Sequence, residues 1–287
     1  MKKLGELMKK YRTTVLLVIL LIISSLIFLY PNFSDYWNSL HQTRVIADYE
    51  ESMSNIEEED YTAIFEEAEK YNEELNRSNK QKFENGEPVD EHYTSLLNLN
   101  DNHMMGYITI DKIDVDLPIY HGTAEPILAV GTGHLEGSSL PIGGEGTHTV
   151  ITGHRGLPTA TLFTHLDQVE KGDIFTLSIL SETLTYQVDQ ILIVKPEEVD
   201  DIKIVKGEDY CTLITCTPFG INTDRILVRG TRIENIEDDM VRTTSEAVRI
   251  DPLIVVPFIA VPVVLLLLLL VFITPASKEE EDDIDLE

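Results

Sequence analysis

The chain has 287 residues, with 50 acidic against 22 basic side chains and a formal net charge of −28. That balance excludes nucleic-acid binding, which needs a basic face. The length suits one domain of ordinary size with appendages.

Residues 1–12 carry Lys2, Lys3, Lys9, Lys10 and Arg12. They precede an uncharged apolar run at 13–30, just long enough to cross a bilayer. The positive-inside rule puts residues 1–12 in the cytoplasm and the following region outside. A cleaved signal peptide is the alternative, but the bulky Tyr30-Pro-Asn-Phe33 offers no clean small-x-small site.

Residues 31–104 read as an extracellular helical region. One helix is expected from about Ser34 to Met53. In a second, Tyr61, Ile64, Phe65, Ala68, Tyr71 and Leu75 recur at helical spacing, with Glu57, Glu58, Glu66 and Glu67 on other faces. Such a stripe favours packing on the domain over a plain spacer. Residues 76–102 are polar and turn-rich, with Asn85-Gly86 and Pro88.

From Met105 the pattern changes to short strands, expected at 106–110, 117–120, 148–153, 173–180, 183–194, 210–216 and 225–234, with a short helix at Ala124 to Val130. Residues 105–236 are therefore a mostly β domain, a barrel or a sandwich. Beyond it come a juxtamembrane linker at 237–252, a second uncharged span at 253–273 containing Pro257 and Pro262, and an acidic tail at 274–287 expected in the cytoplasm. The expected location is the cell membrane, with two spans and the β domain outside.

The chemistry-bearing residues lie at strand ends. Cys216 closes the β-prone run Tyr210-Cys-Thr-Leu-Ile-Thr-Cys216, just before Pro218-Phe-Gly220, and Arg225 opens the next run. A hairpin would bring the two together at its loop end. A thiol beside a fixed guanidinium forms a nucleophile with an oxyanion stabiliser. Cys211 lies five residues before Cys216 on one strand, about 17 Å away when extended and on the opposite face. A disulfide needs Cα atoms closer than about 7 Å, so both thiols are expected free and Cys211 buried.

Among the eight histidines, His154 ends the run Val150-Ile-Thr-Gly-His-Arg-Gly156, between two glycines. His121 is its rival; His134 and His148 read as residues that orient turns or face solvent. Arg229 shares the parity of Arg225 but lies about 13 Å further from the loop, which suits a salt-bridged or solvated face residue. No histidine–carboxylate spacing matches a zinc motif, so no metal and no cofactor are expected. No carboxylate completes a recognisable triad with His154.

Thr152-Gly-His-Arg-Gly156, Thr212-Leu-Ile-Thr-Cys216 and Arg225 together resemble the signature of sortases, membrane-anchored cysteine transpeptidases of Gram-positive bacteria. His121-Gly-Thr123, Gly133-His-Leu-Glu-Gly-Ser-Ser139 and Gly220-Ile-Asn-Thr223 extend the resemblance over about Met105 to Ile233. It implies a sortase-type eight-stranded β-barrel, with Cys216, His154 and Arg225 as the catalytic set. The layout is most similar to class C, the pilin-polymerising enzymes. These cleave Leu-Pro-x-Thr-Gly-like signals of pilins and join the threonine to a lysine amine of the next subunit. A sortase attaching surface proteins to a cell-wall peptide is the alternative within the family; an inactive surface-assembly or binding module is the alternative outside it.

One departure stands out. Class C sortases usually carry a lid with an Asp-Pro-aromatic motif, and residues 31–105 contain none. Glu87-Pro88-Val89 is the nearest candidate, with Val89 a poor replacement for an aromatic ring, so the lid is expected to be altered or absent and the site weakly closed or open.

Overall fold

The structure, a computed structural model, describes residues 12–56, 58–78, 81–99 and 102–235. The second apolar run and the acidic tail lie outside these residues. The described residues from Ser34 onward form one compact unit.

Eight strands form a closed barrel in the order β1-β2-β3-β4-β7-β8-β6-β5. They are β1 (Met104–Ile110), β2 (Val115–His121), β3 (Thr132–His134), β4 (Thr147–Gly153), β5 (Ile174–Ile179), β6 (Glu182–Val194), β7 (Asp209–Thr217) and β8 (Asp224–Ile233). Closure removes the exposed edges that would otherwise invite pairing with another chain. Pairs are antiparallel except β2–β3 and β4–β7. β3 escaped the sequence pattern. It is three residues long, Thr132-Gly-His134, fully buried and polar, so no apolar alternation announces it.

In β4, β7 and β8, side-chain parity splits the strand between two cores. Ile108, Ile151, Cys211, Leu213 and Val228 point into the barrel. Leu135, Val150, Ile202 and Leu227, with Ile214 packed on them, make a second apolar cluster on the outer side of β4, β7 and β8. That outer cluster floors the region described below.

The helical region packs on the barrel, as its apolar stripe predicts. In α2 (Glu58–Ser78), Ala68 is fully buried in the barrel's main core, and Tyr61, Ile64, Phe65 and Tyr71 pack against it. Asn72, also buried, ties both ends of its amide to Leu140: Nδ2 donates to the carbonyl at 3.1 Å and Oδ1 accepts the N–H at 2.7 Å. α1 (Arg12–Ser54) runs unbroken through Pro31 and merges the expected apolar span with the expected helix after it. It is the one helix, among the described residues, long and apolar enough to cross a membrane. Its Ile46 and Tyr49 pack on Met104 and Tyr107. The Tyr49 hydroxyl donates to the Met105 carbonyl and accepts the Leu180 N–H, and burial drives its pKa up.

Residues 81–99 are held by Glu136 and Thr123. Glu136 accepts the backbone N–H groups of Val89 and Asp90 at 2.8 and 3.0 Å, and its own carbonyl accepts Glu84 N–H. Gly86 and Thr123 exchange two further bonds. The segment is thus stapled to the β2–β3 side of the barrel. Val89 is 74% exposed, which no side chain packed over a thiol would be. Among the described residues, the segment makes no hydrogen bond to Cys216, His154 or Arg225. A short helix, α3 (Glu91–Ser95), follows Asp90, whose side chain caps it by accepting His92 N–H.

Candidate active site

Cys216 and Arg225 are direct cross-strand partners on β7 and β8. Opposed residues on an antiparallel pair keep their Cα atoms within about 5.5 Å and share a face. Both side chains are half-buried: Cys216 lies between buried Thr215 and Thr217, and Arg225 precedes buried Ile226. Hence both project outward, at the end of the outer apolar floor.

The parallel pair β4–β7 supplies the third residue. Thr152 is level with Ile214, so the same register sets His154, one residue past β4, level with Cys216. Thr215 Oγ1 donates to the Gly153 carbonyl at 2.7 Å and fastens the two strand ends together, although these residues lie 62 apart in the chain. Gly153 has no room for a side chain: a Cβ there would meet the Phe163 ring at 2.6 Å. Gly156, at φ +76°, turns the chain after His154 in a conformation that costs glycine little. In this state Cys216 makes no side-chain hydrogen bond among the described residues.

Among the described residues, Arg225 hydrogen-bonds only within its own turn. Its Nη1 donates to the carbonyls of Asn222 at 3.3 Å and Asp224 at 3.0 Å. Among the described residues no carboxylate pairs with it, so the rest of the guanidinium fork remains for a substrate. Arg229 is the reverse. It grips Asp189 with two bonds, at 3.0 and 2.6 Å, and stacks on Tyr210 at 4.2 Å. The salt-bridged reading of Arg229 therefore holds.

His121, His134 and His148 are occupied. His121 is buried, with ring nitrogens 2.9 Å from the His103 carbonyl and 2.8 Å from that of Leu96. Burial lowers its pKa. His134 accepts the Tyr93 hydroxyl and donates to the Ser139 carbonyl, and burial pulls its pKa to about 3. His148 donates to the Lys203 carbonyl and accepts from the Thr212 hydroxyl, and burial pulls it to about 4. These two orient turns, as one of the two sequence readings has it, and neither faces solvent. Cys211 is fully buried, and burial drives its thiol pKa well up.

Two neighbours are not legible in the motifs. Glu125, the first residue of α4 (Glu125–Leu128), sets its Oε2 3.1 Å from His154 Nε2. The sequence offers His154 no carboxylate partner because the two residues meet only through β2–β3–β4 pairing. Arg155 pairs with Asp167, reaches Thr217 Oγ1 at 3.4 Å and lies over the Phe219 ring at 5.7 Å. Its Nε is buried without a partner among the described residues. No group of three or more His, Cys, Asp or Glu that could hold a metal occurs among the described residues.

The closed eight-stranded barrel thus carries a thiol and a guanidinium paired at the end of one hairpin, and an imidazole just past the neighbouring strand. Residues 108–233 match the description "Sortase domain". The chain belongs to the sortase family, whose members are cysteine transpeptidases. Among solved structures it is similar to sortase C1 from Streptococcus agalactiae, with 48% identity and a TM-score of 0.63 over 67% of this chain and 100% of that one. Sortase C of Streptococcus pneumoniae gives 44% identity and a TM-score of 0.62, over 67% and 97%. Among curated proteins, sortase D of Bacillus subtilis is 31% identical over 131 residues, 45% of this chain and 63% of the relative. The chain thus spans somewhat less than two thirds of that relative.

Proposed function

We propose that the chain is a class C sortase: a membrane-anchored transpeptidase that cleaves a Leu-Pro-x-Thr-Gly-like sorting signal and joins the threonine to a lysine amine of another pilin. The observation that carries this reading is the cross-strand pairing of Cys216 with Arg225, with His154 one residue past β4, the strand that runs beside β7. The likeness to two sortases C supports the class. The pneumococcal structure is described in terms of pilin substrate specificity. The apolar run in α1 supports anchoring, and the run at 253–273 supplies the proposed second anchor.

The mechanism follows from the side chains. Cys216 thiolate attacks the threonine carbonyl. The free part of the Arg225 fork donates hydrogen bonds to the oxyanion that forms. The intermediate collapses, the C–N bond breaks, and His154 imidazolium gives its proton to the departing glycine amine. A thioester remains. The lysine amine attacks it, His154 takes a proton from that amine, and the second intermediate expels Cys216 as thiolate. Because His154 Nε2 faces Glu125, the nitrogen left for these transfers is Nδ1.

The test is to incubate the full-length chain in detergent with candidate pilins bearing sorting signals and to identify the product by mass spectrometry. A threonine–lysine isopeptide, absent with Cys216→Ala, is expected. A threonine joined to a cell-wall-type peptide amine instead would move the enzyme to the surface-protein-attaching branch. No thioester and no product with any donor would overturn the transpeptidase reading.

A further inference from the structure

We infer that Glu125 is a positioning residue for His154. This inference rests on the reading of His154 as the acid–base group. Three observations carry it. First, a carboxylate only accepts hydrogen bonds, so a contact of 3.1 Å between Glu125 Oε2 and His154 Nε2 requires the proton to sit on Nε2. Second, the contact leaves Nδ1 without a hydrogen-bond partner among the described residues, and this is the nitrogen the reaction uses. Third, Glu125 is held in place by its backbone. It opens α4 directly after Ala124, and its carbonyl accepts the Ala129 N–H at 3.0 Å. The Ala124 carbonyl accepts the N–H groups of Ile127 and Leu128, both at 3.0 Å.

The arrangement has the logic of a base oriented by a third group, in which the carboxylate fixes tautomer and ring orientation and stabilises the imidazolium. Here the orienting group is more open to water than a buried triad aspartate. The Glu125 side chain is 77% exposed, against 23% for His154. Water screens its charge. The effect of removing it is accordingly far smaller than that of losing a buried orienting group. Geometry, which a neutral amide also supplies, accounts for more of the effect than charge.

The same carboxylate could act differently, as a docking point for the ammonium of the incoming lysine. The two roles separate in kinetics. An orienting group acts on kcat and is partly replaced by glutamine, whose carbonyl still accepts from Nε2. A docking group acts on the KM of the amine and is replaced by no neutral side chain.

The experiment uses the full-length chain in detergent micelles, labelled with 15N-histidine, as wild type, Glu125→Gln and Glu125→Ala. The nitrogen shifts of the His154 ring, assigned by loss in His154→Gln, report the tautomer without any substrate. Wild type and Glu125→Gln are expected to carry the proton on Nε2, and Glu125→Ala to show a mixture. In turnover with pilin donor and lysine acceptor, kcat is expected to fall about threefold in Glu125→Gln and about tenfold in Glu125→Ala. The acceptor KM should stay within about twofold. An unchanged tautomer in Glu125→Ala overturns the inference whether or not a substrate has been found. So does a rise in acceptor KM of equal size in both variants with kcat unchanged. If wild type shows the Nε2 tautomer but no transpeptidation with any donor, the function proposed above fails while the positioning of the ring stands.

Discussion

Arg225 and Arg229 share one face of β8, four residues apart, and are held in opposite ways. Arg229 has a carboxylate on two of its nitrogens and an aromatic ring beneath it. Arg225 has two backbone carbonyls of its own turn. The histidines divide along the same line. His134 and His148 have both ring nitrogens engaged in buried contacts, whereas His154 Nδ1 has no hydrogen-bond partner among the described residues. The cysteines divide as well, Cys211 in the barrel interior and Cys216 half-buried on the outside. Each pair of like residues contains one whose bonding capacity is used up by the fold and one whose capacity the fold leaves open. Chemistry with an outside molecule is available only to the second kind.

The sharpest way to break this division is at the thiols. Cys216→Ala should lower transpeptidation by at least about 10³-fold, with thermal stability unchanged, since an alanine fits where a half-exposed thiol sits. Cys211→Ala should keep activity within about threefold and cost about 1 kcal/mol of stability through the small void it leaves. Equal losses of activity, measured as isopeptide formed per minute, would erase the distinction.

The arginines give the next largest contrast. Lysine keeps the charge but not the planar fork. Arg225→Lys should slow turnover by about 10²-fold, the scale of a lost oxyanion donor. Arg229→Lys should leave turnover within about threefold and lower stability by about 1 kcal/mol. A reversal of these two rates would transfer the role to Arg229.

The histidines sharpen the comparison through pH. A histidine held neutral at a folded pKa of about 4 binds fewer protons than the unfolded chain between pH 4 and its ordinary value near 6.5. Stability therefore rises with pH through that window and is lost on acidification. For His148 alone the change is on the order of 3 kcal/mol. Melting temperatures of His148→Gln should depend less steeply on pH between 4 and 6.5 than those of wild type. Last and smallest, Val89→Ala should change the alkylation rate of Cys216 by iodoacetamide less than about twofold, because that exposed side chain covers nothing.

What the sequence made legible was whatever a strand's own pattern encodes. The alternation in Tyr210 to Thr217 placed Cys211 inside and Cys216 outside, and the hairpin it forms with Arg225 to Ile233 fixed their partner strand. The apolar stripe from Tyr61 to Tyr71 announced a helix that packs. Contacts made across strands distant in sequence were not legible. Nothing in Ala124-Glu-Pro126 points to His154, since the two meet only once β3 is inserted between β2 and β4. β3 itself, buried and polar, carries no periodic signal. The course of residues 81–99 followed from Glu136, a buried acid whose two oxygens were free to take the backbone N–H groups of Val89 and Asp90. No local motif reports that kind of trapping.

The parallel pairing of β4 with β7 has a consequence for how the molecule comes to life. A hairpin forms from neighbours in the chain, but a parallel pair waits for everything between its strands. Here the wait includes β5 and β6. The histidine is therefore made early in synthesis and the thiol late, and they become level only when the barrel closes. A chain still being synthesised carries the parts of an acyl-transfer enzyme without the enzyme. Competence to form a thioester is expected to arrive in one step, together with the slowest phase of folding, so that a partly folded intermediate does not acylate itself on passing peptides.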